Sequence, residues 1–283
     1  MAKEKFILKQ PFKGKSAVLT GASTGIGKAT AKEIVQLGGS VCIIARRVEV
    51  LKEAVKEIEA VKTQDDQYVE MISCDTTDMG KLKPLLTDFF EKKGVPDYLI
   101  NCVGYAMPRY VQDHSLEEFR TQMDTNYYGQ LVPILITLPY FMEAKKGYIA
   151  NVSSMAGFIG LIGYTAYTPT KFAIVGLTEA LRNELKPYNI QFSILYPPDT
   201  ETPAFEEENK TKPEECKIIS ERGGLLKPEE VAEPFIEGIL KNRFEILPGE
   251  AKFPWRMFRL FPKLVRNIMD KDLKKARKKL GKE

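Results

Sequence analysis

Residues 16–38 read SAVLTGASTGIGKATAKEIVQLG, and the two ends of this stretch obey different patterns. Ser16–Thr20 is a short apolar run of strand character, whereas the residues from about Gly25 to Leu37 suit a helix. Between them lies Thr20-Gly21-Ala22-Ser23-Thr24-Gly25-Ile26-Gly27. Glycines at such a turn let backbone N–H groups approach a pyrophosphate, and the helix behind directs its positive end at that charge. A glycine-rich turn alone is a weak signal; its place between a strand and a helix strengthens it. Gly21, Ser23, Thr24, Gly25, Ile26 and Gly27 are therefore candidate phosphate-cradling residues.

The alternation continues outward. Val41–Ala45, Tyr68–Ser73, Tyr98–Val103, Tyr148–Val152 and Gln191–Leu195 read as further strands, with Phe244–Leu247 a candidate seventh. Helices are expected at about Glu49–Val61, Met79–Lys93, a long segment opened by the cap Ser115, Tyr164–Leu185 and Pro228–Lys241. Strands alternating with helices indicate an α/β fold: one Rossmann-type, doubly wound domain with a six- or seven-stranded parallel sheet. It is expected to span residues 15–250, between an N-terminal tail (1–14) and a basic amphipathic C-terminal extension (251–283). Residues 197–226 are too long for an idle connection and read as a mobile substrate lid.

Further candidates sit where strands end. The second strand closes Ala45-Arg46-Arg47, where an NAD site would place a carboxylate for the ribose hydroxyls. Two guanidiniums instead suit a 2′-phosphate, so NADPH/NADP+ is the expected cofactor, with Arg46 and Arg47 as its ligands. Asp75, after the third strand, is placed to accept from an adenine amino group. Asn101 and Gly104 fit a backbone turn beside the adenosine ribose.

Tyr167 and Lys171 are four apart and share one face of a helix. A free phenol, with a pKa near 10, is a poor acid–base group at neutral pH. A neighbouring ammonium is expected to lower that value and so to equip the pair for proton transfer to or from an alcohol.

Thr20–Gly27, Asn101-Cys102-Val103-Gly104, Asn126, Asn151-Val152-Ser153-Ser154 and Tyr167-Thr168-Pro169-Thr170-Lys171 together resemble the short-chain dehydrogenase/reductase superfamily. The resemblance implies that Tyr167 gives a proton to the carbonyl oxygen and that Ser154 positions that oxygen. It implies that Lys171 also holds the nicotinamide ribose, with Tyr167 beside the cofactor, and that Asn126 sustains a proton-returning water chain. It also implies pairing through the two long helices, in a homodimer or homotetramer. The stretch from Pro197 to Pro213, with Pro197-Pro198-Asp199-Thr200-Glu201-Thr202-Pro203, is similar to 3-ketodihydrosphingosine reductases. These reduce the long-chain keto sphingoid base formed in the first step of sphingolipid synthesis. That likeness puts Pro197, Thr200 and Thr202 on the cofactor, Thr202 being the better placed hydroxyl. The alternative is a reductase of another large apolar ketone, such as a steroid or a 3-ketoacyl lipid.

The chain of 283 residues carries a net charge of +4, but residues 252–283 hold twelve Lys/Arg against three Asp/Glu. The tail is thus +9 and the remaining 251 residues −5, which argues against a nucleic-acid binder. On a helix, Met257, Phe258, Phe261, Leu264, Val265, Ile268 and Met269 share one arc, opposite Arg256, Arg259, Lys263 and Arg266. Such a helix either lies in a membrane interface or docks on its own domain or a dimer partner, and Pro262 must kink or split it. Trp255 and a lipid substrate favour peripheral attachment of a cytoplasmic protein, on the cytosolic face of the endoplasmic reticulum if the source is eukaryotic. The charged opening Met1–Lys5 and the brief apolar Phe6–Leu8 do not read as a secretory signal. Four scattered cysteines read as buried thiols, and a single histidine, His114, cannot build a three-ligand zinc site; no metal is expected.

Overall fold

The computed structural model describes residues 10–220 and 224–282. Most of the expected N-terminal tail (1–9) and part of the expected lid (221–223) lie outside the described residues. Seven strands form one parallel sheet: β1 (Ser16–Thr20), β2 (Ser40–Ala45), β3 (Val69–Ser73), β4 (Tyr98–Asn101), β5 (Gly147–Val152), β6 (Ile190–Leu195) and β7 (Glu245–Ile246). Their order is β3-β2-β1-β4-β5-β6-β7, so the chain reverses its direction of winding between β1 and β4. Crevices outside the carboxyl ends of strands at such a switch point are where open α/β sheets bind ligands.

Helices α1 (Gly25–Gln36), α2 (Val48–Glu59) and α9 (Pro228–Leu240) cover one face, whose core holds Ile34, Val35, Leu51, Ile58, Phe235 and Ile239. Helices α3 (Met79–Lys93) and α5 (Gly129–Ala144) cover the other, around Leu82, Leu86, Phe90, Ile134 and Phe141. Burial on both faces explains why β2 reads as an uninterrupted apolar run, Val41 to Ile44 all fully buried. Phe12, in the expected tail, is also core: its N–H donates to Leu37 O at 3.1 Å and its ring sits 5.1 Å from that of Tyr98.

Three expected boundaries move, each for a local reason. The helix expected from Tyr164 begins at Thr168, as α6 (Thr168–Glu184), because Tyr164 is held extended in a bridge to Arg109. The long segment opened by Ser115 is α4 (Leu116–Met123), then a π-turn over Asp124–Tyr128, then α5. The lid is not a structureless loop: it contains α7 (Pro203–Thr211) and α8 (Glu214–Ser220). Thr202 opens α7 by accepting from Phe205 N at 3.1 Å, with Pro203 in the first turn.

The tail splits at Pro262 into α10 (Lys252–Leu260) and α11 (Pro262–Lys279). The apolar residues of the tail divide between the body and the surface. Trp255, Phe258, Val265 and Met269 pack on Phe158, Ile159 and Tyr196 of the body, whereas Phe253, Leu260, Phe261, Leu264 and Ile268 stay exposed. Arg259 and Arg266 do not simply face solvent: they lie over the rings of Trp255 (4.4 Å) and Phe258 (5.6 Å).

Candidate active site

Two hollows meet the carboxyl edge of the sheet, and the first is built by glycine. Gly21 has φ +65°, and a Cβ there would come within 2.7 Å of Val103 N, so β1 turns into α1 through space that any side chain would fill. A Cβ on Gly27 would lie 2.5 Å from Gly21 O, so this glycine lets the helix pack onto the turn. Helix α1 has no side-chain cap and no acidic residue in its first turn. Its N-terminal N–H groups therefore suit an anion. Ser23, Thr24, Arg46, Arg47, Asp75 and Gly104 line the hollow beyond that turn.

Arg46 and Arg47 are exposed at the end of β2, and Arg46 sits 3.7 Å from Asp75. The other oxygen of Asp75 already accepts from Thr77 N (3.0 Å) and Thr77 Oγ1 (2.8 Å). Asn101 departs from its expected place. It is fully buried and ties three strand ends together: Thr20 Oγ1 donates to Asn101 Oδ1 at 3.1 Å, and Asn101 Nδ2 donates to Asn151 Oδ1 at 2.9 Å. The wall assigned to it is formed by Cys102 and Val103 instead, and Thr76, Tyr105 and Thr125 also line the hollow. All but Thr125, which the π-turn contributes, lie just past the carboxyl ends of β3 or β4, which is the signal that would have found them.

Around the corner, Ser154, Tyr167 and Lys171 come together. Ser154 leaves β5 in extended conformation and its Oγ accepts from Ala156 N at 3.1 Å. Tyr167 is the residue before α6 and Lys171 follows one turn on, its Nζ 5.5 Å from the centre of the Tyr167 ring. Lys171 is buried, donating to Val152 O at 3.1 Å, and burial pulls its pKa down to about 8. The expectation for Tyr167 is reversed in this state. Burial, with the carboxylates of Glu208 and Asp199, pushes the phenol above its ordinary value, and a hydrogen bond with Ser154 only partly offsets this.

Asn126 is turned inward by the π-turn. Its Nδ2 donates to Tyr105 O and to Thr170 Oγ1, both at 3.0 Å, and its Oδ1 accepts from Tyr105 N at 2.9 Å. The amide thus clamps the 105 loop to α6, with both its donors occupied. A Cβ on Gly104 would meet Lys171 Nζ at 3.0 Å and Asn126 Oδ1 at 3.2 Å, so both polar atoms face the space that this glycine keeps open.

The residues after β6 divide. Thr202 leans on the glycine turn, its Cγ2 2.9 Å from a Cβ on Gly25. Thr200 is buried and its hydroxyl proton is donated to Pro198 O at 2.9 Å, which leaves its oxygen only as an acceptor. Pro197 accepts from Met155 N at 3.3 Å and so pins this segment to the Ser154 turn.

A glycine-built hollow at the switch point, joined at Gly104 to a serine–tyrosine–lysine cluster, defines an oxidoreductase of the short-chain dehydrogenase class. Residues 15–213 match the family model described as short chain dehydrogenase, and the chain belongs to that family. It is 42% identical over 232 residues to a 3-dehydrosphinganine reductase of Danio rerio, covering 82% of this chain and 70% of that protein. Identity to a 3-ketodihydrosphingosine reductase of Bos taurus is 40% over 232 residues, again 82% of this chain and 70% of the relative. Among solved structures, a 3-oxoacyl-(acyl-carrier protein) reductase with bound NAD from Brucella melitensis superposes with a TM-score of 0.71. That pair is 25% identical and covers 84% of this chain and 88% of the other.

Proposed function

We propose that the chain reduces the 3-keto group of 3-ketodihydrosphingosine to the alcohol with NADPH as reductant. The observation that carries this reading is the 42% identity to a protein of that name together with the convergence of Ser154, Tyr167 and Lys171. The glycine turn, the uncapped end of α1 and the Gly104 opening suit a dinucleotide whose nicotinamide, when bound, supplies the hydride. Arg46 and Arg47 suit its 2′-phosphate. Ser154 Oγ and the Tyr167 hydroxyl hold the carbonyl oxygen. A phenol kept protonated by burial is loaded to give its proton to that oxygen as negative charge develops. Lys171 holds the ribose beside Tyr167. Exposed Tyr128, Leu135 and Phe172 on the π-turn, α5 and α6 support pairing of two copies through these helices.

An NADPH-oxidation assay decides between substrates. Turnover is expected on 3-ketodihydrosphingosine; turnover confined to a steroid ketone or a 3-ketoacyl thioester would sink this reading. In the same assay, the double variant Arg46→Ala/Arg47→Ala raises KM for NADPH by about 30-fold, the loss of two exposed charge-assisted contacts, while KM for NADH stays unchanged. Equal effects on both cofactors would remove these arginines from 2′-phosphate recognition.

The same reading places the protein peripherally on a membrane that carries its substrate, on the cytosolic face. No helix among the described residues is long and apolar enough to cross a membrane. The exposed row Phe253, Leu260, Phe261, Leu264 and Ile268, flanked by Lys252, Arg256 and Lys263, suits an anionic interface. Phe261→Ser/Leu264→Ser/Ile268→Ser spares the residues that dock the tail. This triple variant is expected to lower partition onto anionic vesicles by about tenfold or more, given roughly 0.8 kcal/mol per buried methylene. Wild-type protein that stays in the supernatant with such vesicles would refute the attachment.

A further inference from the structure

Beneath the lid, next to the proton donor, lies a set of charges that the reduction does not use. Glu208 on α7 accepts from the Tyr164 hydroxyl at 2.5 Å and pairs at 3.0 Å with Lys212. The Lys212 side chain is 1% exposed, its Nζ 4.6 Å from the centre of the Phe205 ring. The ion pair and the Tyr164 hydrogen bond fasten the lid to the body. Asp199 is different. Its carboxylate has no hydrogen-bond donor among the described residues, yet it is half-buried and its pKa is raised, first by burial. It faces a cavity of about 340 Å³ shared with Phe205, Asn209, Lys217, Ser220 and Leu225.

The position of this carboxylate is fixed rather than incidental. Asp199 O accepts from Leu226 N at 3.1 Å, Glu201 N donates to Leu226 O at 2.8 Å, and Pro197 and Pro198 stiffen the approach. Both Asp199 and Glu208 act electrostatically on Tyr167. Among the described residues Lys212 is paired with Glu208, Lys217 is taken up by Glu214 at 2.8 Å and Lys171 is turned to Val152 O, so Asp199 is left as the carboxylate of this space without an ion-pair partner. An unpaired anion there opposes the negative charge that grows on the carbonyl oxygen during reduction, so with a neutral substrate it is purely a cost. A cation brought in by the substrate cancels it.

We infer that Asp199 is the receptor for an ammonium group on the carbon next to the substrate's ketone, and thereby selects amino ketones over uncharged ketones of equal chain length. This rests on the ketone-reducing reading of the Ser154–Tyr167–Lys171 site and adds to it the origin of substrate choice. An uncharged 3-ketoacyl chain or steroid leaves the carboxylate desolvated and unpaired, which is discrimination by penalty as well as by contact.

The test compares 3-ketodihydrosphingosine with its N-acetyl amide, which keeps the chain and the ketone and removes the charge. Wild-type enzyme is expected to favour the amine in kcat/KM by about 30-fold or more, the worth of one charge-assisted contact. Asp199→Asn loses that preference: kcat/KM on the amine falls by about 30-fold while that on the amide changes by less than about threefold. A thermal melt and NADPH titration of Asp199→Asn report whether it folds. Independently of any variant, dihydrosphingosine is expected to inhibit wild-type enzyme more strongly than N-acetyldihydrosphingosine. Equal losses on both ketones, or wild-type enzyme indifferent to the charge, overturn the inference and leave the reductase reading standing. Wild-type enzyme that reduces neither ketone overturns that reading itself.

Discussion

Tyr167→Phe abolishes reduction while the protein still folds and binds NADPH. The expected loss in kcat is about 10³-fold, within the range for removal of a positioned proton donor. The ring carries the packing at this position, 6.0 Å from the Tyr164 ring and beneath Lys171, and phenylalanine keeps it. Among the described residues no backbone group depends on the hydroxyl, which lies near Ser154, so removing it leaves no buried backbone group unsatisfied. The melting temperature should therefore stay within about 2 °C of wild type. NADPH titration by fluorescence should give an unchanged Kd, since a hydroxyl that acts on the carbonyl oxygen is not a cofactor anchor. Retention of more than a few per cent of wild-type turnover would assign proton transfer to another group.

Much of this site was legible because catalysis at a strand end leaves local marks. The spacing of Tyr167 and Lys171 places them on one helical turn whatever surrounds them, and the glycine turn is legible because only glycine fits between Gly21 and Val103 N. What escaped depends on partners distant in sequence. Asn101 looks like a lining residue until Thr20 and Asn151 claim its side chain. Thr200 looks free until its hydroxyl turns back to Pro198. The charge-rich stretch reads as a mobile lid, without helices of its own, because α7 and α8 have few apolar residues. Their stability comes instead from the Thr202 cap and from Glu208 and Lys212 buried against Tyr164 and Phe205. The tail's arc showed that an apolar face exists, but periodicity does not say which half of that face finds the body.

The pKa of Tyr167 shows a more general gap. A lysine one turn away suggests a lowered phenol, but burial and two carboxylates outweigh it. The balance between desolvation and charge is set by depth and by the lid, neither of which a four-residue spacing encodes. For a reductase the reversed shift is serviceable, since the proton has to be present before it can be given.

Lys171→Met is expected to inactivate the enzyme and to make it more stable, and the gain is expected to vanish at high pH. The ammonium is buried without a carboxylate partner among the described residues, and burial lowers its pKa from 10.5 to about 8. Below pH 8 the folded protein must hold a proton on a group that resists it, so the full cost is present there. Between pH 8 and 10.5 the unfolded chain binds that proton and the folded one does not, so wild-type stability rises with pH across this window. Above 10.5 neither state is protonated and the cost is gone. Methionine never carries the charge. At pH 7 the variant should gain about 2–3 kcal/mol, or roughly 5 °C in Tm, and near pH 10.5 almost nothing. Val152 O is not orphaned by the change, because Gln130 Nε2 also donates to it at 2.9 Å. Melting curves of the two proteins across this range decide the matter: a variant less stable than wild type at pH 7, or a gain independent of pH, means that Lys171 supports the fold. A gain that fades through the window means that the lysine is kept at a cost to stability, for what its charge does beside Tyr167.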